Sequence, residues 1–174
     1  KETKRFYVEK INVLGNQFTL EEVIRNEFLV DEGDPYNELI FNKSLNNLKS
    51  KGIFKTVTST ISDGSKDNLK IIDVIIEEKP TGEIAVGAGV GTSGGSVSFG
   101  IKENNFLGRG ISLDTNLTLS ENTIKGKFVY SKPNFNYTDN TLYTSLSSTS
   151  TDNLETSGYK TSNIGFSVGT AFEQ

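Results

Sequence analysis

The chain has 174 residues, with Lys+Arg 18 against Asp+Glu 22 and a formal net charge of -4, a balance that lacks the basic footprint of a nucleic-acid binder. With Cys 0 and His 0 it holds no disulfide, no thiol nucleophile, no Ser-His or Cys-His pair and none of the commonest metal ligand, so composition disfavours an enzyme. No apolar run approaches the ~20 residues of a membrane-spanning helix, and Lys1-Glu2-Thr3-Lys4 does not lead into a signal-peptide core.

In chain order, Phe6, Val8, Ile11 and Val13 form an apolar-rich stretch closed by the turn dipeptide Gly15-Asn16, which predicts a strand. Thr19 is expected to cap a helix, with Glu22 reaching back and Leu20, Val23, Ile24 and Phe28 as its apolar stripe. The segment from Asp31 to Pro35 breaks that helix. Asn37 then caps a second one, in which Phe41, Leu45 and Leu48 share a face, Lys49 and Lys51 suit the negative end and Gly52 stops the run. Two strands follow, Phe54–Ser62 and Leu69–Glu78, joined through Asp63-Gly64. The second is rich in Ile71, Ile72, Val74, Ile75 and Ile76 and is expected at the centre of a three-stranded sheet.

Composition changes at Lys79-Pro80-Thr81-Gly82. Residues 1–80 carry 12 of the 18 basic and 14 of the 22 acidic side chains, whereas 13 of the 17 glycines lie beyond them, so a domain boundary is placed at 80–82. Past it no helical periodicity remains. Ile84, Val86, Ala88 and Val90 alternate with Ala85, Gly87, Gly89 and Gly91, and Val97, Phe99 and Ile101 alternate with Ser98, Gly100 and Lys102. Ile111, Leu113, Leu117 and Leu119 stand against Ser112, Asp114, Asn116, Thr118 and Ser120, and Ile124, Phe128 and Tyr130 against Lys125, Lys127 and Ser131. Further strands are expected around Leu142–Ser150 and Tyr159–Phe172, the last setting Ile164, Phe166 and Val168 against Gly165, Ser167 and Gly169. Alternation of this kind fits a soluble antiparallel sandwich as well as a membrane barrel. Strand lengths near the ~9–11 residues that cross a bilayer at a tilt favour the barrel, as do Phe106, Tyr130, Phe135, Tyr137 and Tyr159 near strand ends. The start without Met and the stop at Phe172-Glu173-Gln174 inside an alternating pattern suggest a piece of a longer protein.

Both halves resemble one family in the right order. Val13-Leu14-Gly15-Asn16, Gly33-Asp34-Pro35-Tyr36 and Gly52-Ile53-Phe54-Lys55-Thr56-Val57 look like the POTRA pattern, and Glu77-Glu78-Lys79-Pro80 like its exit into a barrel. Gly87-Ala88-Gly89-Val90-Gly91-Thr92 resembles the glycine-rich first barrel strand of the BamA family. Asn104-Asn105-Phe106-Leu107-Gly108-Arg109-Gly110 resembles its first periplasmic turn, and Pro133-Asn134-Phe135 the next. The resemblance implies an α+β POTRA domain (β-α-α-β-β) over residues 1–80, in the periplasm. Residues 81–174 would be the antiparallel opening strands of a transmembrane barrel of ~16 strands in the bacterial outer membrane.

What the resemblance implies for function is the folding and insertion of outer-membrane proteins, as core subunit of the β-barrel assembly machinery, without cofactor, nucleotide, metal site or enzyme activity. Glu83, Ile84, Val86, Gly87, Gly89 and Gly91 would form one side of a lateral gate, because strand glycines weaken a seam and a client strand could pair there by β-augmentation. The alternative is that these glycines only leave room or let the strand bend. Phe54, Thr56, Thr58 and Thr60 mark a candidate augmentation edge in the POTRA half, and Glu32 a candidate contact for an accessory lipoprotein of the BAM complex. Asp114, Lys125 and Lys127 are expected as ordinary lumen lining. Implied partners are those lipoproteins, unfolded outer-membrane protein clients and outer-membrane lipid. A secretion channel of the two-partner or TamA-like branch is the competing function, and a barrel enzyme ranks last for want of any His.

Overall fold

The structure is a computed structural model and describes residues 5–91, 94–138 and 140–172, apart from the side chains of Tyr137 and Thr156. Lys1-Glu2-Thr3-Lys4, Thr92 of the glycine-rich motif, the Tyr137 side chain and Glu173-Gln174 therefore lie outside the described residues. The chain divides into two compact units, one of the residues up to Pro80 together with Leu107–Arg109, the other of Thr81–Phe106 and the residues from Gly110 on.

The first unit runs β1 (Tyr7–Leu14), α1 (Glu21–Arg25), α2 (Glu38–Ser50), β2 (Phe54–Asp63) and β3 (Leu69–Glu78). Its sheet has the order β1-β3-β2, with β1 parallel to β3 through Ile11↔Ile72 and β2 antiparallel to it through Val57↔Ile76. The isoleucine-rich strand is thus central, as its composition predicts. Period-two alternation sends Ile72, Val74 and Ile76 to one face, where they join Val8, Ile11, Ile24, Phe41, Leu45, Leu48 and Val57 in the core. Each such side chain contributes roughly 1.5–3 kcal/mol on burial, which is how so small a domain orders its backbone.

Asn37 caps α2 as expected, its Oδ1 accepting from Leu39 N at 2.9 Å and Ile40 N at 3.3 Å. Gly52 follows that helix with φ 68°, a left-handed turn that only glycine adopts without cost. The first helix departs from the expectation. It covers only Glu21–Arg25, its cap position is Leu20, and no cap side chain bonds its first turn. The Thr19 N–H instead donates to Glu78 at 2.6 Å, so a carboxylate from the end of β3 organises this corner. Ile24 is buried, Val23 and Phe28 pack beside the core, and Leu20 stays 45% exposed.

The second unit is a meander of β4 (Gly82–Gly91), β5 (Gly94–Phe106), β6 (Ile111–Ser120), β7 (Thr123–Lys132), β8 (Asn140–Asn153) and β9 (Tyr159–Phe172). A 3-10 turn at Phe135–Tyr137 precedes β8, and a one-turn helix, α3 (Leu154–Ser157), precedes β9. Neighbours in sequence are neighbours in the sheet, all antiparallel. The register builds continuous cross-strand rows. One runs Ile84, Ile101, Thr115, Phe128, Leu146, Phe166, and the adjacent row on the opposite face runs Ala85, Gly100, Asn116, Lys127, Ser147, Gly165. The two faces of the sheet therefore differ as the alternation requires. On the polar-row side, the Tyr143 ring lies across Gly169, its cross-strand partner, in the space a Cβ would need.

Candidate functional site

The apolar rows are open. Ile84 is 81% exposed, Phe166 67%, Leu117 39% and Phe128 37%, whereas a sandwich would bury these side chains against a second sheet. On the polar face Glu83 stands opposite Lys102, Lys102 opposite Asp114, and Asn116 opposite Lys127, while Glu103, Lys132, Asp152 and Lys160 lie on the other face toward the strand ends. Lys125 sits opposite Thr118 on the polar face.

β4 stands at one end of the sheet order, with β5 its neighbour and its other side unpaired among the described residues. Of the residues singled out on it, Ile84 and Val86 lie on the apolar face and Glu83, Gly87, Gly89 and Gly91 on the polar one. Gly87 stands opposite Ser98, Gly89 opposite Ser96 and Gly91 opposite Gly94, so the polar face of β4 over this stretch has no bulky cross-strand pair. On that face β4 adds backbone hydrogen bonds to its neighbour and little side-chain packing, whereas on the other Ile84, Val86 and Ala88 stand opposite Ile101, Phe99 and Val97.

In the first unit, β1 and β2 are the two edges of the sheet, and they differ. The outer edge of β1 is closed by the segment between the helices and by one arginine. The Phe6 carbonyl accepts Tyr36 N at 2.8 Å, Val8 N donates to Asp34 O at 2.9 Å, and Gly33 N donates to Val8 O at 2.7 Å. Ile11 N donates to Glu32 Oε1 at 3.0 Å, and Arg25 Nη2 donates to the Ile11 carbonyl at 2.9 Å. β2 is the open edge among the described residues, with Thr56, Thr58 and Thr60 exposed along it. Phe54 differs from these three: at 6% exposure its side chain belongs to the core and only its backbone to the edge. Glu32 and the β2 edge thus lie on opposite margins of the sheet. Besides accepting from Ile11 N, Glu32 has Arg25 Nη1 at 3.8 Å, so this exposed acid already has an intramolecular task.

Sequence reasoning passed over Glu78. Its carboxylate accepts Gln17 N at 3.0 Å, Phe18 N at 2.9 Å and Thr19 N at 2.6 Å, a three-donor grip on the loop before α1. Burial pushes this carboxyl up, but the hydrogen bonds from Thr19, Phe18 and Gln17 outweigh it and hold it below its ordinary value of 4.5. Glu9 works similarly, accepting Ser65 N at 2.6 Å and so pinning the β2–β3 turn. Neither residue has a local sequence signal, because donors and acceptor are far apart in the chain.

A β-α-α-β-β domain with a closed β1 edge, followed by a meander that is apolar on one face and polar on the other, defines a POTRA domain joined to barrel-type strands. Comparison agrees. The POTRA family model, described as surface antigen variable number repeat, matches residues 6–79. The crystal structure of BamA from Haemophilus ducreyi lacking POTRA domains 1-3 superposes with a TM-score of 0.85 at 28% identity, over 98% of this chain and 33% of that one. The outer membrane protein assembly factor BamA of Neorickettsia risticii (strain Illinois) is 34% identical over 107 residues, 61% of this chain. CdiB from Acinetobacter baumannii has a TM-score of 0.62 over 96% of this chain at 16% identity, a likeness of fold alone. The chain belongs to the BamA family of outer-membrane protein assembly factors. It spans 14% of the length of the curated relative and a third (33%) of the solved structure.

Proposed function

We propose that this chain is part of the core subunit of an outer-membrane β-barrel assembly machinery, with residues up to Pro80 in the periplasm and β4–β9 in the outer membrane. The observation that carries the reading is the glycine-rich β4, whose polar face has no bulky cross-strand pair over Gly87–Gly91, in a sheet whose apolar face is exposed. Lipid supplies no hydrogen-bond partners, so a β4 edge released when the seam opens must find another β-strand. An unfolded outer-membrane protein offers one. Its strand pairs with Glu83, Ile84, Val86, Gly87, Gly89 and Gly91 by β-augmentation, and the client's own apolar burial supplies the free energy, without nucleotide, metal or catalytic residue. The exposed Thr56–Thr60 edge of β2 is a second place where an extended client or partner segment pairs by its backbone. An accessory lipoprotein presenting a basic group docks at Glu32, in competition with Arg25.

The test locks the seam: cysteines on β4 and on the closing strand of the complete barrel are joined, and insertion of a client barrel is followed. Insertion should stop and resume on reduction. A locked protein that inserts clients at the unlocked rate would remove the reading. The secretion-channel alternative draws on the fold shared with CdiB, and it predicts export of one dedicated substrate with no dependence on seam opening.

A further inference from the structure

The charged side chains on the apolar face of β4–β9 are met in different ways. Asp152 and Lys160 stand opposite each other and join at 3.0 Å, so that pair is neutral. Glu103 accepts from the Thr81 hydroxyl and from Asn105 N at 2.7 Å. Lys132 differs from these. Among the described residues no acid answers its ammonium, which lies 6.0 Å from the centroid of the Phe135 ring. An aromatic face stabilises a cation without engaging its N–H donors, so all three stay available to an acceptor.

The chain after β7 is shaped to keep that ring there. Asn134 and Asn136 flank Phe135 with φ 50° and 56°, the left-handed region that asparagine tolerates better than most residues. Thr138 closes the turn on the Phe135 carbonyl, its backbone N at 3.3 Å and its hydroxyl at 2.7 Å both donating to it. Phe135 is thereby held beside Lys132 while remaining 40% exposed.

Lys132 is the last residue of β7, a strand of 10 residues. At ~3.4 Å per residue and a tilt of ~45° such a strand rises about 24 Å, close to the ~25 Å apolar band of a membrane barrel. The rows Gly82↔Glu103, Glu103↔Leu113 and Leu113↔Tyr130 put this end of β7 at the same side of the sheet as the start of β4. With the residues up to Pro80 in the periplasm, Lys132 therefore stands where the hydrocarbon gives way to the headgroups of the periplasm-facing leaflet. A lysine there lays its stem along apolar surface and holds its ammonium at the headgroup level.

We propose that Lys132 and Phe135 form a phospholipid headgroup site, in which the Lys132 ammonium takes the phosphate of an anionic phospholipid and the acyl chains lie along Phe128 and Leu146. The inference rests on the outer-membrane reading of β4–β9. Charge complementarity selects the anionic headgroup, and the exposed apolar row beside it selects a lipid over free phosphate, which has nothing to cover that row.

The experiment places a reporter at Leu142→Trp, opposite Lys132, in the complete protein. Vesicles of one phosphatidylcholine and phosphatidylglycerol mixture are prepared with the bromine quencher on one lipid or on the other, and the reporter's emission is taken as the difference from the protein without it. Quenching should show phosphatidylglycerol enriched about fivefold over its bulk share, the effect of about one charge at a membrane surface. Lys132→Gln should return it to the bulk share, Lys132→Arg should keep the enrichment, and Phe135→Leu should lower it in part. A second reporter, Ser162→Trp, lies on the same face near the neutral Asp152 and Lys160 pair and should see the bulk share. Bulk share at Leu142→Trp in the otherwise wild-type protein would overturn the proposal, as would enrichment that survives Lys132→Gln or is equal at Ser162→Trp. Those results leave the membrane reading intact, whereas a reporter that neither brominated lipid quenches sinks that reading and the proposal with it.

Discussion

Thr19 N donates to the Glu78 carboxylate at 2.6 Å across 59 positions of sequence, and this bond, with those from Phe18 and Gln17, ties the loop before α1 to the end of β3. The same acid stands two residues before Pro80, where the first unit ends. It makes the loop depend on a single ionised group.

Glu78→Ala should destabilise the first unit by about 1 kcal/mol, a figure discounted for solvent screening of a partly exposed group, read from denaturant unfolding followed by a probe in α2. Because the folded carboxyl lies below its ordinary 4.5, its stabilisation is fully present above that value and is lost as pH falls through the folded value. The wild type should therefore lose more stability than Glu78→Ala on acidification below about pH 4.5, and parallel pH profiles would contradict this.

Removing the cap of α2 should cost about as much. Asn37→Ala leaves Leu39 N and Ile40 N without their side-chain acceptor and should destabilise by ~1 kcal/mol, whereas Asn37→Asp or Asn37→Ser should be close to neutral. Thermal unfolding of the three variants checks the order.

Charge reversal at Glu32 should act on two things. Glu32→Lys removes the acceptor of Ile11 N and sets a cation beside Arg25, so it should loosen β1 and raise amide exchange at Ile11 even in the absence of any partner. Glu32→Gln keeps an acceptor oxygen and should preserve that protection, and under the proposed docking it should weaken binding of a basic lipoprotein. If Glu32→Lys leaves Ile11 protected, the closed-edge account is wrong.

Faces of the sheet should respond differently to charge. Phe128→Lys places a cation in the apolar row and should cost about 2–4 kcal/mol if it lies near the bilayer midplane. Lys127→Ser, one residue away in the polar row, should cost little. Urea unfolding of the complete barrel in lipid vesicles compares the two.

Much of the architecture was legible because it depends on periodicity. Ile72, Val74 and Ile76 announce a central strand, Asn37 announces its helix, and the alternation of Leu117, Leu119 with Asn116, Thr118 announces two unlike faces. The candidate β4 was legible through its glycines. What the sequence hid are contacts between distant positions: Glu78 with 17–19, Glu9 with Ser65, Glu32 with Ile11, Glu103 with Thr81. Each is a carboxylate capping backbone or hydroxyl donors, and a lone Glu in a charged segment reads the same whether it is solvated or holding a loop. Thr19 misled for a related reason: it has the residue type of a cap, while the helix begins a residue later and the corner is organised from β3.

The account stands on the apolar rows of β4–β9 facing lipid. Its most direct test attaches nitroxide labels in turn at Leu117, Phe128 and Phe166 and at Asn116, Lys127 and Ser147 in the complete protein reconstituted in bilayers, and measures collision with oxygen and with a water-soluble nickel complex. Oxygen, which partitions into lipid, should dominate at the first three positions and the nickel complex at the last three; equal access at both sets, or the reverse pattern, would contradict the account.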